Sequence, residues 1–80
     1  MEIDENKIDN AALALLYLSL HDGQRVWKGM DFEVMNRLHE KGYIDNPVNK
    51  NKSVWLTDEG LAESENLFKQ LFSNSTTMDF

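Results

Sequence analysis

Apolar positions recur along the chain in three helix-spaced groups, with shorter β-branched and aromatic stretches between them. In the first group the body AALALLYLSL, residues 11–20, is apolar nearly all round. The pattern predicts a helix from Asp9 or Asn10 to about His21, with Asp9 as N-cap and Ile8 packed on Leu13 across the first turn. A helix without a polar face is either wrapped by the rest of its domain or shared with a second chain. Asp22-Gly23 closes it, the glycine able to take the left-handed conformation that ends helices.

Between Gly23 and Gly29 the run Arg25-Val26-Trp27-Lys28 reads as a short strand. A second helix starts at Asp31, with Met30 and Met35 as its staple pair. Phe32, Met35 and Leu38 form its apolar side; Glu33, Asn36, Arg37, Glu40 and Lys41 form the other. Lys41 suits the negative end of the helix and Gly42 caps it. Tyr43-Ile44, the turn signal Asp45-Asn46-Pro47 and the strand Ser53–Thr57 then predict a hairpin. Alternation along that strand sets Val54 and Leu56 on one face and Trp55 on the other. Thr57 is the N-cap of the last helix, Asp58 and Glu59 follow at its positive end, and Leu61, Phe68 and Leu71 face inward. The predicted order is α-β-α-β-β-α. The expected core is Leu13, Leu16, Leu20, Trp27, Leu38, Ile44, Val54, Leu56, Leu61, Phe68 and Leu71.

The string LHEKGYI, followed by SVWLTDEG, resembles the second half of winged helix-turn-helix regulators. Leu38, Gly42, Ile44, Leu56, Thr57 and Gly60 stand at the places of that pattern, so residues 31–61 imply a recognition-type helix followed by a wing. The fold implied is α+β: a reduced winged-helix-like domain of three helices and a small antiparallel sheet. A helix-turn-helix also needs a supporting helix ahead of the recognition helix. Only nine residues separate His21 from Asp31, so DNA binding does not come with the resemblance. The stretches DNAALALLYLSLHDG, WKGMDFEVMNRLHEKGYI and KSVWLTDEGL are also similar to a small bacterial family known only as a domain of unknown function. That similarity implies a free-standing domain and no particular activity.

Eighty residues make one domain with a modest core. We expect an acidic leader over residues 1–8, the domain over 9–72 and a polar tail over 73–80. There is no cysteine, the start is not a signal peptide, and the longest apolar run falls well short of a membrane span, so a cytoplasmic, non-membrane domain is expected. Net charge is −6, divided as −4 over residues 1–23, +2 over 24–52 and −4 over 53–80. Only the middle third would not repel an anionic partner.

Candidate chemistry follows from that division. Asn36 and Arg37 would read base edges and Lys41, Lys50 and Lys52 would meet phosphates, if nucleic acid were bound. Otherwise these are a solvated helix face, with Glu33 and Arg37 paired, and soluble loop lysines. Trp55, Leu15, Leu18 and Phe72 are the candidate protein interface; Trp55 alternatively caps the open side of the sheet, and Trp27 is read as core. His21 and His39 have no ligand spacing, no glycine-rich phosphate loop is present, and the acids are not paired. No cofactor or metal is expected, and an enzyme is not. The reading is a non-enzymatic interaction module, a homodimer with an unidentified protein partner; the alternative is a nucleic-acid-binding or regulatory accessory using the second helix and hairpin.

Overall fold

Asp4, rather than Asp9, opens the first helix. In the computed structural model, which describes residues 1–74, its carboxylate accepts from the backbone N–H groups of Asn6 and Lys7. Helix α1 runs Glu5–Leu16, so residues 5–8, expected in a leader, are its first turn. It also stops short of His21. A 3-10 turn over Tyr17–Ser19 follows, in which the Ser19 hydroxyl donates to Leu16 O and accepts from the Trp27 N–H, stitching the helix end to the next strand. Asp22 and Gly23 both have positive φ and let the chain double back, so that His21 and Arg25 exchange backbone hydrogen bonds.

The remaining elements are β1 (Arg25–Trp27), α2 (Phe32–Glu40), β2 (Ser53–Trp55) and α3 (Asp58–Phe72). The class is α+β, with three helices and a two-stranded antiparallel sheet among the described residues. The register pairs Arg25 with Trp55, Val26 with Val54 and Trp27 with Ser53. Of the expected Tyr43-Ile44 strand there remains one bridge, Ile44 to Leu56, extended by Asp45 N to Trp55 O and Thr57 N to Tyr43 O. Ser73 and Asn74 follow α3; the rest of the expected tail, 75–80, lies outside the described residues.

Leu13, Leu16, Leu38, Ile44, Val54 and Leu56 are buried as expected, joined by Ala12, Ala14, Val26, Val34, Met35 and Leu67. Leu20, Leu61 and Phe68 pack at its margin. Two expected core residues lie outside it. Trp27 is 56% exposed, because Val26 faces inward and alternation turns both its neighbours outward. Leu71 is 49% exposed although it continues the buried stripe Gly60, Ser64 and Leu67, so the last turn of α3 overruns its cover.

Helix α3 is seated by its first turn. Thr57 Oγ1 accepts from the Gly60 N–H and donates to Gly42 O, as its N-cap role predicted. Gly60 lies so close to the Tyr43 backbone that an added Cβ would overlap the Tyr43 carbonyl oxygen and stand 2.7 Å from its carbon. Alanine at a helical glycine normally gains about 1 kcal/mol. Here overlap with backbone, which cannot swing aside, outweighs that gain. Gly60→Ala is expected to lower stability by about 2 kcal/mol, read from the urea midpoint; an unchanged or raised midpoint would contradict this packing.

Candidate interaction surfaces

The outer face of the sheet carries Arg25, Trp27, Ser53 and Trp55, the members of the ladder that alternate away from Val26 and Val54. Trp27 and Trp55 are diagonal neighbours across the two strands. The Arg25 guanidinium sits over the Trp55 ring, 5.1 Å from its centroid. Trp27 lies down along its own strand: its indole occupies the space where a Gly29 side chain would be. Trp55 is held from the backbone, its N–H donating to Asp45 Oδ1. Both tryptophans are thus exposed, with the Trp27 ring lying over Gly29 and the Trp55 backbone held by Asp45.

Beside this face, the loop after Pro47 is organised by a residue from another element. The Lys28 ammonium donates to Pro47 O, Asn49 O and Asn49 Oδ1 at 2.8–2.9 Å. Asn46 and Asn49 close the turns around it, accepting from the N–H groups of Val48 and Asn51. Lys50 and Lys52 stay exposed at this end of the ladder, and no ion pair involves them among the described residues.

Arg37 and Lys41 are placed differently. Both turn to Asp9, which is 1% exposed. Arg37 grips it through Nε at 2.9 and 3.0 Å and Nη2 at 2.8 Å; Lys41 Nζ reaches Oδ2 at 2.9 Å and Asn6 Oδ1 at 3.0 Å. Glu5 adds an outer contact to Arg37 at 3.7 Å. Arg37 therefore bridges α2 to α1, and the expected pairing with Glu33 gives way to the buried carboxylate. Asn36 is half-buried beside it. Hydrogen bonding from Arg37, opposed by burial and reinforced by Lys41, holds the Asp9 carboxyl below its ordinary value of 3.8. Asp9 keeps the Arg37 guanidinium above its ordinary range in turn.

A second exposed region is apolar. Helix α1 buries Asp9, Ala12, Leu13, Ala14 and Leu16 and leaves Ile8 and Leu15 outside, with Ala11 partly covered between them; Leu18, in the 3-10 turn that follows, is exposed beyond them. Their spacing of three, four and three makes one stripe. At the stripe's end the Tyr17 ring meets Phe68 at 5.3 Å between centroids, and Phe68 meets Phe72 at 5.5 Å. The exposed Leu18, Leu71 and Phe72 thus gather at one end of the molecule. Of the residues nominated from sequence, Leu15, Leu18 and Phe72 belong to this region. Trp55, Lys50 and Lys52 lie at or beside the sheet face. The sequence reading puts Trp27 in the core and Asp9 at an N-cap, and gives Arg25 and Lys28 no role beyond the strand. The alternation that turns Trp55 outward turns Trp27 and Arg25 outward too, once Val26 is taken as the core position; the contacts of Lys28 and Asp9 cross elements and carry no local signal.

The fold and these surfaces define a small α+β domain that shows an exposed aromatic sheet face and an apolar helical stripe. The chain belongs to the DUF6429 family, described as a domain of unknown function, whose model matches residues 4–74. It is 60% identical over 73 residues to "Uncharacterized protein y4hR" of Sinorhizobium fredii (strain NBRC 101917 / NGR234), covering 91% of this chain and 99% of that protein. No solved structure matches. The winged-helix resemblance is not confirmed: turn and strand stand where the supporting helix would, and the first wing strand is a single bridge.

The Asp9 cluster makes a prediction for acid. A carboxyl with a lowered folded pKa contributes stability that is full above its ordinary value and is lost as pH falls through the folded value. The contribution should therefore disappear below pH 3.8, across the interval to the lower folded pKa. Asp9→Asn should cost about 2 kcal/mol near neutral pH, since hydrogen bonds to charged groups contribute about 1.5–3 kcal/mol. The difference from the parent should shrink across that acid window in urea melts taken at several pH values; a constant difference would contradict the ion pairing.

Proposed function

We propose that this domain is a non-enzymatic interaction module that self-associates through the stripe on α1 and the overrunning end of α3. The observation that carries the reading is Leu71. It lies in line with Gly60, Ser64 and Leu67, which are buried, yet it is half exposed because nothing in the described residues extends far enough to cover it. Leu18, 69% exposed, and Phe72 stand at the same end. Isolated exposed apolar residues are ordinary, whereas a group at one end, continuous with a buried stripe, suits an interface.

A second copy is the occupant that best suits this patch. Two such patches meeting about a two-fold axis would cover each other with identical residues. No titratable group on the patch itself opposes that contact: Ile8, Leu15, Leu18, Leu71 and Phe72 are all uncharged. Stable interfaces cover about 800 Å² per partner, which the stripe and the α3 end must supply together. Among the described residues no helix is long and apolar enough to cross a membrane, so a bilayer-spanning role for the stripe has no support.

Sedimentation equilibrium tests the reading. The parent should reach a dimer in the micromolar range, and Leu18→Glu or Phe72→Glu should weaken the dimer by about tenfold or more, the cost of burying an unpaired carboxylate. A monomer at every concentration, or a dimer indifferent to both substitutions, would overturn it.

A further inference from the structure

We infer that the outer sheet face, formed by Trp27, Trp55 and Arg25 with Lys50 and Lys52 beside it, binds single-stranded nucleic acid by stacking bases on the Trp27 indole and on the Arg25 guanidinium that covers Trp55. This site is separate from the α1–α3 patch and from the face of α2 on which Arg37 and Lys41 are engaged by Asp9.

Three observations carry it. The first is the posture of Trp27. An indole that lies along its strand over a glycine offers a flat face to solvent, and Gly29 is the position that permits this, since any Cβ there would overlap the ring. The second is the pairing of the indoles. Trp27 and Trp55 are diagonal across the register, and such neighbours stand about 7–8 Å apart, within the step a flexible single strand takes between adjacent bases. The third is charge. Arg25 covers Trp55 at one end of the ladder; at the other the Lys28 N–H donates to Lys52 O, so the backbone of exposed Lys52, with exposed Lys50 two residues before it, adjoins the Trp27–Ser53 pair. None of the three cations has an ion-pair partner among the described residues. The nearby Asp45 carboxylate accepts from the Trp55 backbone N–H, and its negative charge opposes a phosphate at that end of the ladder.

These features select among ligands. A proline-rich peptide would use the indoles and leave the cations unmatched. An acidic peptide would match the cations and leave the flat face of Trp27 without a stacking partner. A duplex hides the faces of its bases. A single strand presents stacked π-faces and phosphates together, the combination that aromatic platforms in cationic grooves recognise. The protein's net charge of −6 opposes the approach and keeps affinity modest, and cations set at both ends of the aromatic pair act against that repulsion locally.

Trp27 and Trp55 are the only tryptophans in the chain, so tryptophan fluorescence, excited selectively over the two tyrosines, reports on this face. The full-length protein would be titrated with a short oligothymidine at low salt, and then with the matching duplex and with polyglutamate. Saturable quenching by the single strand is expected, with log affinity falling against log salt at a slope of about −2 for three cations on a single strand. Arg25→Glu combined with Lys52→Glu should weaken binding at least about tenfold. Gly29→Ala, which keeps every charge and displaces the Trp27 ring, should weaken it about fivefold or more. Circular dichroism would confirm that each variant keeps its helices, with Lys50→Glu as the substitute for any that does not. Absence of quenching, equal quenching by polyglutamate, a preference for duplex, or indifference to the charge and glycine variants would each overturn the inference.

Discussion

The fold turns on one buried carboxylate. Asp9 stands on the inward side of α1 among Ala12, Leu13 and Leu16, where a domain of this size would ordinarily place an apolar residue. It is tolerable there because three N–H groups meet it from α2, two from Arg37 and one from Lys41. Such a cluster contributes little net stability over a well-packed hydrophobic alternative, and its distinctive property is geometry. A planar guanidinium against a carboxylate admits one orientation, so the rotation of α1 on α2 is set. Once α1 is set in rotation, the placement of its two remaining sides follows: one against α3, one bare.

That bare side and the aromatic sheet face lie on different elements and have different chemistry. One is uncharged and aliphatic, at the joint end of α1 and α3. The other is aromatic and cationic, on the sheet that α1 helps to bury from behind. Separation of this kind allows two associations without competition for one patch. It also explains the charge division along the sequence: two of the six bases in the middle third are internal struts against Asp9, a third holds a loop, and only Arg25, Lys50 and Lys52 remain to act outward.

What could be read from the sequence was local. Asp31 and Thr57 cap α2 and α3 as their neighbours predicted, since a capping side chain answers to backbone three residues away. The alternation of Val54, Trp55 and Leu56 held for the same reason. Errors arose where a distant partner decided. Asp9 satisfies every local criterion of an N-cap, but Arg37 and Lys41, about thirty residues on, claim it for the interior and leave Asp4 to open the helix. Trp27 looked like core by size, while Val26 took the inward position and left the larger ring outside. The candidate surfaces were legible to the same extent: Leu15, Leu18, Phe72 and Trp55 by composition, Arg25 by alternation once Val26 is taken as core, and Lys28 only through its contacts across the fold.

The loop between Ile44 and Ser53 illustrates how a distant contact constrains chain length. Its ends are already closed by Asp45 to Trp55 and Thr57 to Tyr43, so extra residues would add only a slowly growing closure entropy. By that measure the loop should tolerate insertion freely. But its middle is gathered around the Lys28 ammonium through Pro47 and Asn49, and a residue added between those two would carry their oxygens apart. The reach of a single lysine side chain thus acts as a ruler, metering how much backbone can stand between Pro47 and Asn49, ahead of the strand that displays Trp55.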